Sequence, residues 1–175
     1  MNAFAERPDE SEYAPFYAAY VSQVPAGDVR DHLRAQLPET LTMLSGVSEA
    51  TAQRAYAPGK WTLKEVLGHI SDAERVFSYR LVSIARGDPA QLPPFDENAW
   101  VPASNANARP VAELLLEFAT VRASTVQLVS ALTEPAFLRR GTASGKTISA
   151  RAIAFICAGH ERHHRAIIRE RYLSL

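Results

Sequence analysis

Three histidines near the C-terminal end of the chain have a spacing that could bind a metal ion. The segment reads His160, Glu161, Arg162, His163, His164, and the apolar residues around it predict a helix. On a helix, residues i and i+4 lie on the same face, so His160 and His164 would be stacked one turn apart. Imidazoles beside an apolar core are costly to bury without a partner, and a metal ion is a common partner.

The spacing alone leaves two pairs open. His163 lies three residues after His160 and would also share a face with it. We favour His164, because metal-binding pairs on helices are commonly four residues apart. A histidine pair is by itself a weak signal, and an ordinary surface or core pair is the better interpretation of it.

A third histidine, His69, strengthens the metal hypothesis. It lies on a second predicted helix, on the flank of that helix's apolar stripe. A helical bundle can bring a residue on one helix opposite a pair on another. Three neutral imidazoles suffice to bind Zn²⁺, Ni²⁺ or a similar ion, and they leave coordination positions open, which is typical of catalytic sites.

Other residues of interest have simpler interpretations. Glu65, four residues before His69, could accept the second ring N–H of that histidine. It is also the third residue of a capping box that begins at Thr62, and this role suffices to explain it. Cys157 could supply a thiol near the site, although a small buried core residue is the better interpretation. His32 is predicted to lie on the surface.

Helical periodicity dominates the chain, which we predict to be all-α, with almost no strand signal. Apolar residues at spacings of three and four define four long amphipathic segments, at residues 28–49, 62–86, 110–132 and 147–172. Pro38 lies inside the first segment and is predicted to kink or split it. Four helices of similar length predict a four-helix bundle.

The segments outside these helices fit one domain spanning residues 1–175. Residues 1–27 predict a short extra helix that packs on the bundle as an N-terminal extension. Residues 141–147 lack the spacing of a phosphate-binding loop, and they predict a flexible turn before the last helix.

The longest irregular segment, residues 89–109, is predicted to be ordered, because apolar and aromatic residues recur along it. Long ordered loops in compact domains are often functional. We therefore place the entrance to the site beside it. Phe95 and Trp100 are candidates for the wall of the pocket, and anchoring the loop to the bundle is an equally good role for them.

Composition excludes several classes of function. Among the 175 residues, 47% are hydrophobic and 22% are charged, with 19 basic and 19 acidic residues, so the formal net charge is zero. A dedicated nucleic-acid binder would carry a basic excess. There is a single cysteine, no apolar run of membrane-spanning length and no secretory signal pattern. We predict a cytoplasmic protein that binds neither membranes nor nucleic acid.

Four separated motifs, in order along the chain, resemble the DinB superfamily. They are WTLKEVLGHISDAER at residues 61–75, ARGD at 85–88, LPPFDENAWV at 92–101 and AGHERHH at 158–164. More narrowly, they are similar to its YfiT-like branch of metal-dependent enzymes. The resemblance covers nearly all of the chain after about residue 28.

The resemblance implies a four-helix bundle that binds a divalent metal, often zinc or nickel. The family's ligands are one histidine on the second helix and an HxxxH pair on the fourth, which match His69, His160 and His164. The resemblance thus favours His164 over His163. It also implies a possible homodimer, and the family name records damage inducibility, which indicates a stress response.

Characterised members of the family suggest the chemistry. They include thiol-S-transferases that use bacillithiol or mycothiol, a mycothiol-dependent isomerase and proteins described as hydrolases. Our leading hypothesis is a metal-dependent transferase that takes a low-molecular-weight thiol as co-substrate and acts on a small molecule. The alternatives are a hydrolase that activates water at the same three histidines and a stress-induced metal-binding protein without turnover.

Overall fold

The computed structural model describes residues 2–174, and most of them are helical. The α-helices are α1 (Ala18–Val21), α2 (Val29–Leu44), α3 (Glu49–Ala52), α4 (Leu63–Arg86), α5 (Glu97–Ala103), α6 (Val111–Ser130), α7 (Glu134–Phe137) and α8 (Ala150–Ile167). Short 3-10 helices span Glu10–Glu12, Pro15–Tyr17 and Ala106–Ala108, and a π-helical turn, Ile168–Tyr172, extends α8.

The four long helices form a bundle, as predicted. Helix α4 packs against α6 and α8, and α2 packs against the same two helices. In this arrangement α2 and α4 are diagonal to each other, as are α6 and α8. None of the helices among residues 2–174 is long and apolar enough to cross a membrane.

Capping residues set the ends of the helices that carry the site. Thr62 accepts the N–H of Glu65, and the Glu65 carboxylate accepts the N–H of Thr62, which completes the predicted capping box at the start of α4. Gly87 ends α4 with φ 81°, a left-handed conformation that glycine adopts without steric cost. Ser149 caps α8 by accepting the N–H of Ala152.

The first predicted helix is shorter than the pattern suggested. Helix α2 runs without a break through Pro38, so the predicted split at this proline is wrong, whereas the kink, the other predicted effect, stays a prediction. The helix ends at Leu44, before Gly46, and the chain resumes helical structure only in α3. The predicted helix was too long because apolar residues continue past the turn at helical spacing.

A small sheet replaces the predicted flexible turn. Strands β2 (Arg140–Ala143) and β3 (Lys146–Ser149) form an antiparallel hairpin, and β1 (Gln91–Leu92) pairs in parallel with β2. The two turn residues, Ser144 and Gly145, have φ values of 53° and 69°, as a tight two-residue hairpin turn requires. Helix α8 therefore begins at Ala150 rather than at residue 147.

The segment predicted to be irregular also contains secondary structure. Residues 89–109 include β1, α5 and a 3-10 turn. Helix α5 begins where the Asp96 carboxylate accepts the N–H groups of Asn98 and Ala99. The prediction that this segment is ordered holds, whereas its description as irregular was incomplete.

The N-terminal extension packs tightly on the last helix. Helix α1 lies against α8, and the closest approach is at Gly159. A Cβ at this position would lie 2.0 Å from the backbone oxygen of Tyr20, so only glycine allows the two backbones to approach so closely. This contact places the Tyr20 ring beside the predicted metal-binding histidines.

Two groups of buried apolar side chains form the core. On α8 the first group ends at Ala158 and the second begins beyond the helix, at Ile168. His160 and His164 lie between the two groups. The bundle therefore holds these imidazoles between two apolar regions.

Candidate metal centre

Helices α4 and α8 bring His69, His160 and His164 together. The Nε2 atom of His160 lies 3.1 Å from Nε2 of His69 and 3.1 Å from Nε2 of His164. The ligand atoms of all three residues lie within 4.8 Å of one another. Residues far apart in the sequence thus present three ring nitrogens to one small region.

This arrangement fits a divalent metal ion. Ligand nitrogens about 2.0 Å from a tetrahedral zinc ion are separated by about 3.3 Å, close to the spacing observed here. Hydrogen bonding alone explains the cluster less well, because Nε2 of His160 lies close to both other rings and carries either one hydrogen or one lone pair. Three imidazoles also form a neutral, borderline-soft donor set that suits zinc and nickel.

Burial keeps the imidazoles uncharged. It lowers the pKa of His69 to about 4 and is the largest cause of the fall in the pKa of His164 to about 3, to which His69 and His163 contribute. Burial likewise holds the pKa of His160 well below its usual range. Each imidazole is therefore neutral at neutral pH and has one unprotonated ring nitrogen that can bind a metal.

Aromatic rings pack against the cluster and fix the orientation of its side chains. The Trp61 ring centroid lies 4.9 Å from that of His69. The rings of Tyr20 and Phe77 meet His160 edge-on, with centroids 5.3 Å and 5.5 Å away. Tyr20 was predicted to lie in the packed extension, but its position beside the histidines depends on tertiary structure.

His163, the alternative ligand from sequence spacing, lies outside the cluster. Its ring packs edge-on against Tyr20, with centroids 5.4 Å apart. The three residues whose ligand atoms converge are His69, His160 and His164. His163 is therefore a natural control for experiments on the other two histidines of α8.

Glu65 has a structural role. Its Oε2 atom accepts the backbone N–H of Thr62 at 2.8 Å, and its Oε1 atom accepts an amide N–H of Asn107 at 2.9 Å. Within residues 2–174, no hydrogen bond joins Glu65 to His69. The interpretation as a helix cap therefore accounts for this residue, and the interpretation as a partner of His69 does not.

The other two side chains considered from the sequence are not part of the cluster. Cys157 is buried, and burial raises the pKa of its thiol well above the usual value, so the thiol stays protonated. The Nε2 atom of His32 is buried without a hydrogen-bond partner among the described residues. The prediction that His32 lies on the surface is therefore wrong for this atom.

Two pockets adjoin the histidines. The larger pocket has a volume of about 530 Å³ and is lined by His69 and His160. The smaller pocket, of about 270 Å³, is lined by His164 and by Trp61. The cluster is therefore accessible from two separate cavities.

Phe95 and Trp100 differ in their relation to these pockets. Phe95 lines the larger pocket, as predicted for a wall residue. Trp100 packs on Phe95 with ring centroids 5.3 Å apart, but it lines a neighbouring groove and is 46% exposed. Trp100 thus supports the wall from outside and does not line the pocket that reaches the histidines.

A buried ion pair behind the site was missed by the sequence analysis. Arg122 on α6 is fully buried and donates two hydrogen bonds of 2.8 Å to the Glu74 carboxylate on α4. It also donates to Gln36, whose amide reaches the Ala158 carbonyl next to the cluster. One signal was available, because the apolar face of the third predicted helix includes position 122.

A buried carboxyl beside His160 was also missed. Glu161 is 1% exposed and accepts a hydrogen bond from the Thr40 hydroxyl through Oε1, whereas its Oε2 atom has no partner among the described residues. Burial raises the pKa of this carboxyl above its usual value. The sequence showed Glu161 only as the residue that follows His160.

The fold and the site together define the class of protein. The family model of the DinB superfamily matches residues 32–168. The chain belongs to the DinB superfamily, in agreement with the motifs and with the bundle.

Two curated proteins from Geobacillus species are similar to the chain. One, from Geobacillus kaustophilus, is 28% identical over 149 residues, which cover 82% of this chain and 84% of that protein. The other, from Geobacillus thermodenitrificans, is 27% identical over 154 residues, which cover 84% and 85%. Both carry the name "Putative metal-dependent hydrolase".

A solved structure has the same fold. YfiT from Bacillus subtilis, described as a probable metal-dependent hydrolase with an unusual four-helix bundle topology, matches with a TM-score of 0.72. The match covers 97% of this chain and 95% of that chain at 19% sequence identity. At this identity the likeness establishes the fold alone.

Proposed function

We propose that this protein is a metal-dependent enzyme in which His69, His160 and His164 hold a divalent ion, zinc or nickel. We further propose that it transfers a low-molecular-weight thiol, such as bacillithiol, to a small electrophilic molecule. The observation that carries the proposal is that the three histidine nitrogens converge between two pockets. Metal-dependent chemistry is also consistent with the names of the two Geobacillus relatives.

Two pockets suit a reaction of two substrates. A transferase must hold its thiol and its electrophile at the same time, with the reacting atoms in contact. The larger pocket approaches the cluster from the side of His69 and His160, and the smaller pocket approaches it from His164. A molecule in each pocket would place one group of each beside the three ring nitrogens.

The protein's contribution to the reaction is to position and desolvate the reactants. A divalent metal, when bound, lowers the pKa of a thiol or of water so that the deprotonated nucleophile exists at neutral pH. Glu97 lines the larger pocket with His69 and can accept the released proton. In the transfer step a sulfur–carbon bond forms, and the bond to the leaving group breaks with its electron pair.

Hydrolysis is the second candidate function. It is favoured by the names of the curated relatives, and in this reaction the half-buried Glu97 carboxyl would accept the proton released from water. In this case only one pocket would hold a substrate. The same three histidines would serve both reactions, so the co-substrate distinguishes the two functions.

The test uses the metal-loaded protein with a chloro-dinitrobenzene electrophile and a panel of thiols, namely bacillithiol, mycothiol, glutathione and cysteine. We expect thioether formation that requires one of the thiols, stops on chelation of the metal and survives in His163→Ala. A nitrophenyl ester without thiol tests the hydrolase. Ester cleavage without any thiol-dependent transfer would overturn the transferase in favour of the hydrolase. Metal binding without turnover of either substrate would leave a metal-binding protein and overturn both.

A further inference from the structure

A second buried arginine lies in the wall of the larger pocket. Arg80 extends from α4 and is only 2% exposed. It lines the same cavity as His69 and His160. Its guanidinium is therefore a positive charge held within a pocket that reaches the candidate metal centre.

The hydrogen-bond partners of Arg80 are all uncharged. It donates to the Pro93 carbonyl at 2.6 Å, to the Ser144 hydroxyl at 3.1 Å and to the Tyr17 hydroxyl at 3.4 Å. Across residues 2–174, the ion pairs found do not include this guanidinium. A guanidinium has five N–H donors, so these bonds leave donors available.

Arg122 shows how the same bundle neutralises a buried arginine that has only a structural role. The Glu74 carboxylate binds Arg122 through two hydrogen bonds of 2.8 Å. Burying a cation without an opposite charge is costly, and an anion is the usual compensation. Arg80 is also almost fully buried. It faces a cavity, however, whereas Arg122 faces the Glu74 carboxylate.

We propose that Arg80 binds a carboxylate group of the ligand that occupies the larger pocket. Nη2 donates to both Pro93 and Ser144, so the Nε–H and one Nη1–H remain to donate charge-assisted hydrogen bonds to a carboxylate. The Phe95 ring, whose centroid lies 5.9 Å from the guanidinium carbon, helps to hold the arginine in place. That this ligand is a substrate of the metal centre rests on the function proposed above, whereas the anion-binding role of Arg80 does not.

The charges in the pocket favour a carboxylate over a phosphate. Arg80 is the cationic side chain of the lining, and Glu97 is an acidic one in the same wall. The guanidinium attracts an anion, whereas the Glu97 carboxylate repels it. This repulsion is weaker for a singly charged carboxylate than for a phosphate dianion. The proposed ligand is therefore a small molecule with a carboxylate on one side and its reacting group at the histidines.

The experiment measures the binding of propionate, which is a monoanion, of its neutral amide propionamide and of inorganic phosphate by titration calorimetry. Each compound is titrated into the metal-free and the zinc-loaded full-length protein. The variants are Arg80→Gln, which removes the charge, and Arg80→Lys, which keeps the charge but not the guanidinium donors. Arg86→Gln, at an exposed position of the same helix, is the matched control.

We expect propionate to bind both forms of the protein and propionamide to bind neither. Charge-assisted hydrogen bonds of this kind predict a loss of more than about tenfold in Arg80→Gln, a smaller loss in Arg80→Lys and none in Arg86→Gln. If Arg80→Gln does not fold, the Arg80→Lys variant decides, and propionate binding equal to the wild type would overturn the proposal.

Other outcomes separate this proposal from the proposed function. Equal binding of propionate to the wild type and to Arg80→Gln would overturn the role of Arg80, and tight binding of phosphate in place of propionate would overturn the assignment of a carboxylate ligand. Propionate binding that requires zinc and ignores Arg80 would also overturn the role of Arg80 and would leave the metal centre intact. Binding through Arg80 in a protein that takes up no metal would support the carboxylate site and overturn the metal-dependent function.

Discussion

The backbone oxygen of Tyr20 lies 2.0 Å from the position that a Cβ atom on Gly159 would occupy. This contact joins the N-terminal extension to the helix that carries two of the three clustered histidines. It also holds the Tyr20 ring 5.3 Å from the His160 ring, measured between centroids. Gly159 therefore connects the packing of the extension to the geometry of the candidate metal centre.

We predict that Gly159→Ala will lower the free energy of unfolding by about 1–3 kcal/mol, the usual cost of forcing extra volume into a packed interior. The added methyl group meets backbone atoms of Tyr20 rather than a flexible side chain, so the backbone itself must move. Urea unfolding measures the change. Gly46→Ala is the control, since a Cβ there meets nothing within 4 Å. Equal stabilities of the two variants would contradict the close packing of α1 on α8.

A second prediction concerns pH and the metal-free protein. Burial lowers the pKa of His69 from 6.5 to about 4, so below pH 6.5 the unfolded chain takes up a proton that the folded chain does not. The free energy of unfolding should therefore fall as pH falls from 6.5 to about 4. Between pH 7 and pH 5 this residue contributes about 2 kcal/mol of the loss.

Urea unfolding with a chelator, at pH 7 and at pH 5, tests this prediction in the wild type and in His69→Asn. Between pH 7 and pH 5, the free energy of unfolding should fall by about 2 kcal/mol less in the variant than in the wild type, because the variant lacks the contribution of His69. Glu161, whose pKa is raised by burial, acts in the opposite direction in both proteins and cancels in the comparison. An identical pH dependence in the two proteins would show that His69 is not held neutral by burial.

A third prediction concerns the buried ion pair of Arg122 and Glu74. Glu74→Gln removes the carboxylate and leaves a buried guanidinium without an opposite charge. This typically lowers the free energy of unfolding by about 3–5 kcal/mol. Asp72→Asn is the matched control on the same helix, because the ion pair of Asp72 with Arg75 is partly exposed and should contribute less than about 1 kcal/mol.

Combining Glu74→Leu with Arg122→Met should restore much of the stability that Glu74→Gln loses, because the double variant leaves no buried charge. Urea unfolding of the three proteins measures the effect. A Glu74→Gln protein as stable as Asp72→Asn would contradict the role of this pair in the bundle.

The parts of the fold that follow helical periodicity could be predicted from the sequence. Helix α4 begins one residue after the capping threonine and ends before Gly87, as its local signals indicated. The hairpin was missed, because two strands of four residues each are too short to show a period and their pairing depends on a distant strand. Local signals also could not show that α2 continues through Pro38.

Some features of the candidate site could also be predicted from the sequence, and others depend on the tertiary structure. The spacing of His160 and His164 is a local property of one helix, whereas the position of His69 opposite them depends on how α4 packs on α8. The environment of Arg80 was not predictable, although its place in the apolar stripe was a signal. Its neighbours Pro93 and Ser144 come from the β1–α5 segment and the hairpin turn, whose positions only the tertiary structure sets.

The most direct test of the account is the metal content of four proteins after zinc or nickel loading and dialysis, measured by elemental mass spectrometry. The wild type and His163→Ala should each retain about one ion per chain, whereas His69→Ala and His164→Ala should retain little. The reason is that His69→Ala and His164→Ala each remove one of the three converging ring nitrogens. Full metal retention in His69→Ala or His164→Ala, or its loss in His163→Ala, would contradict the three-histidine centre.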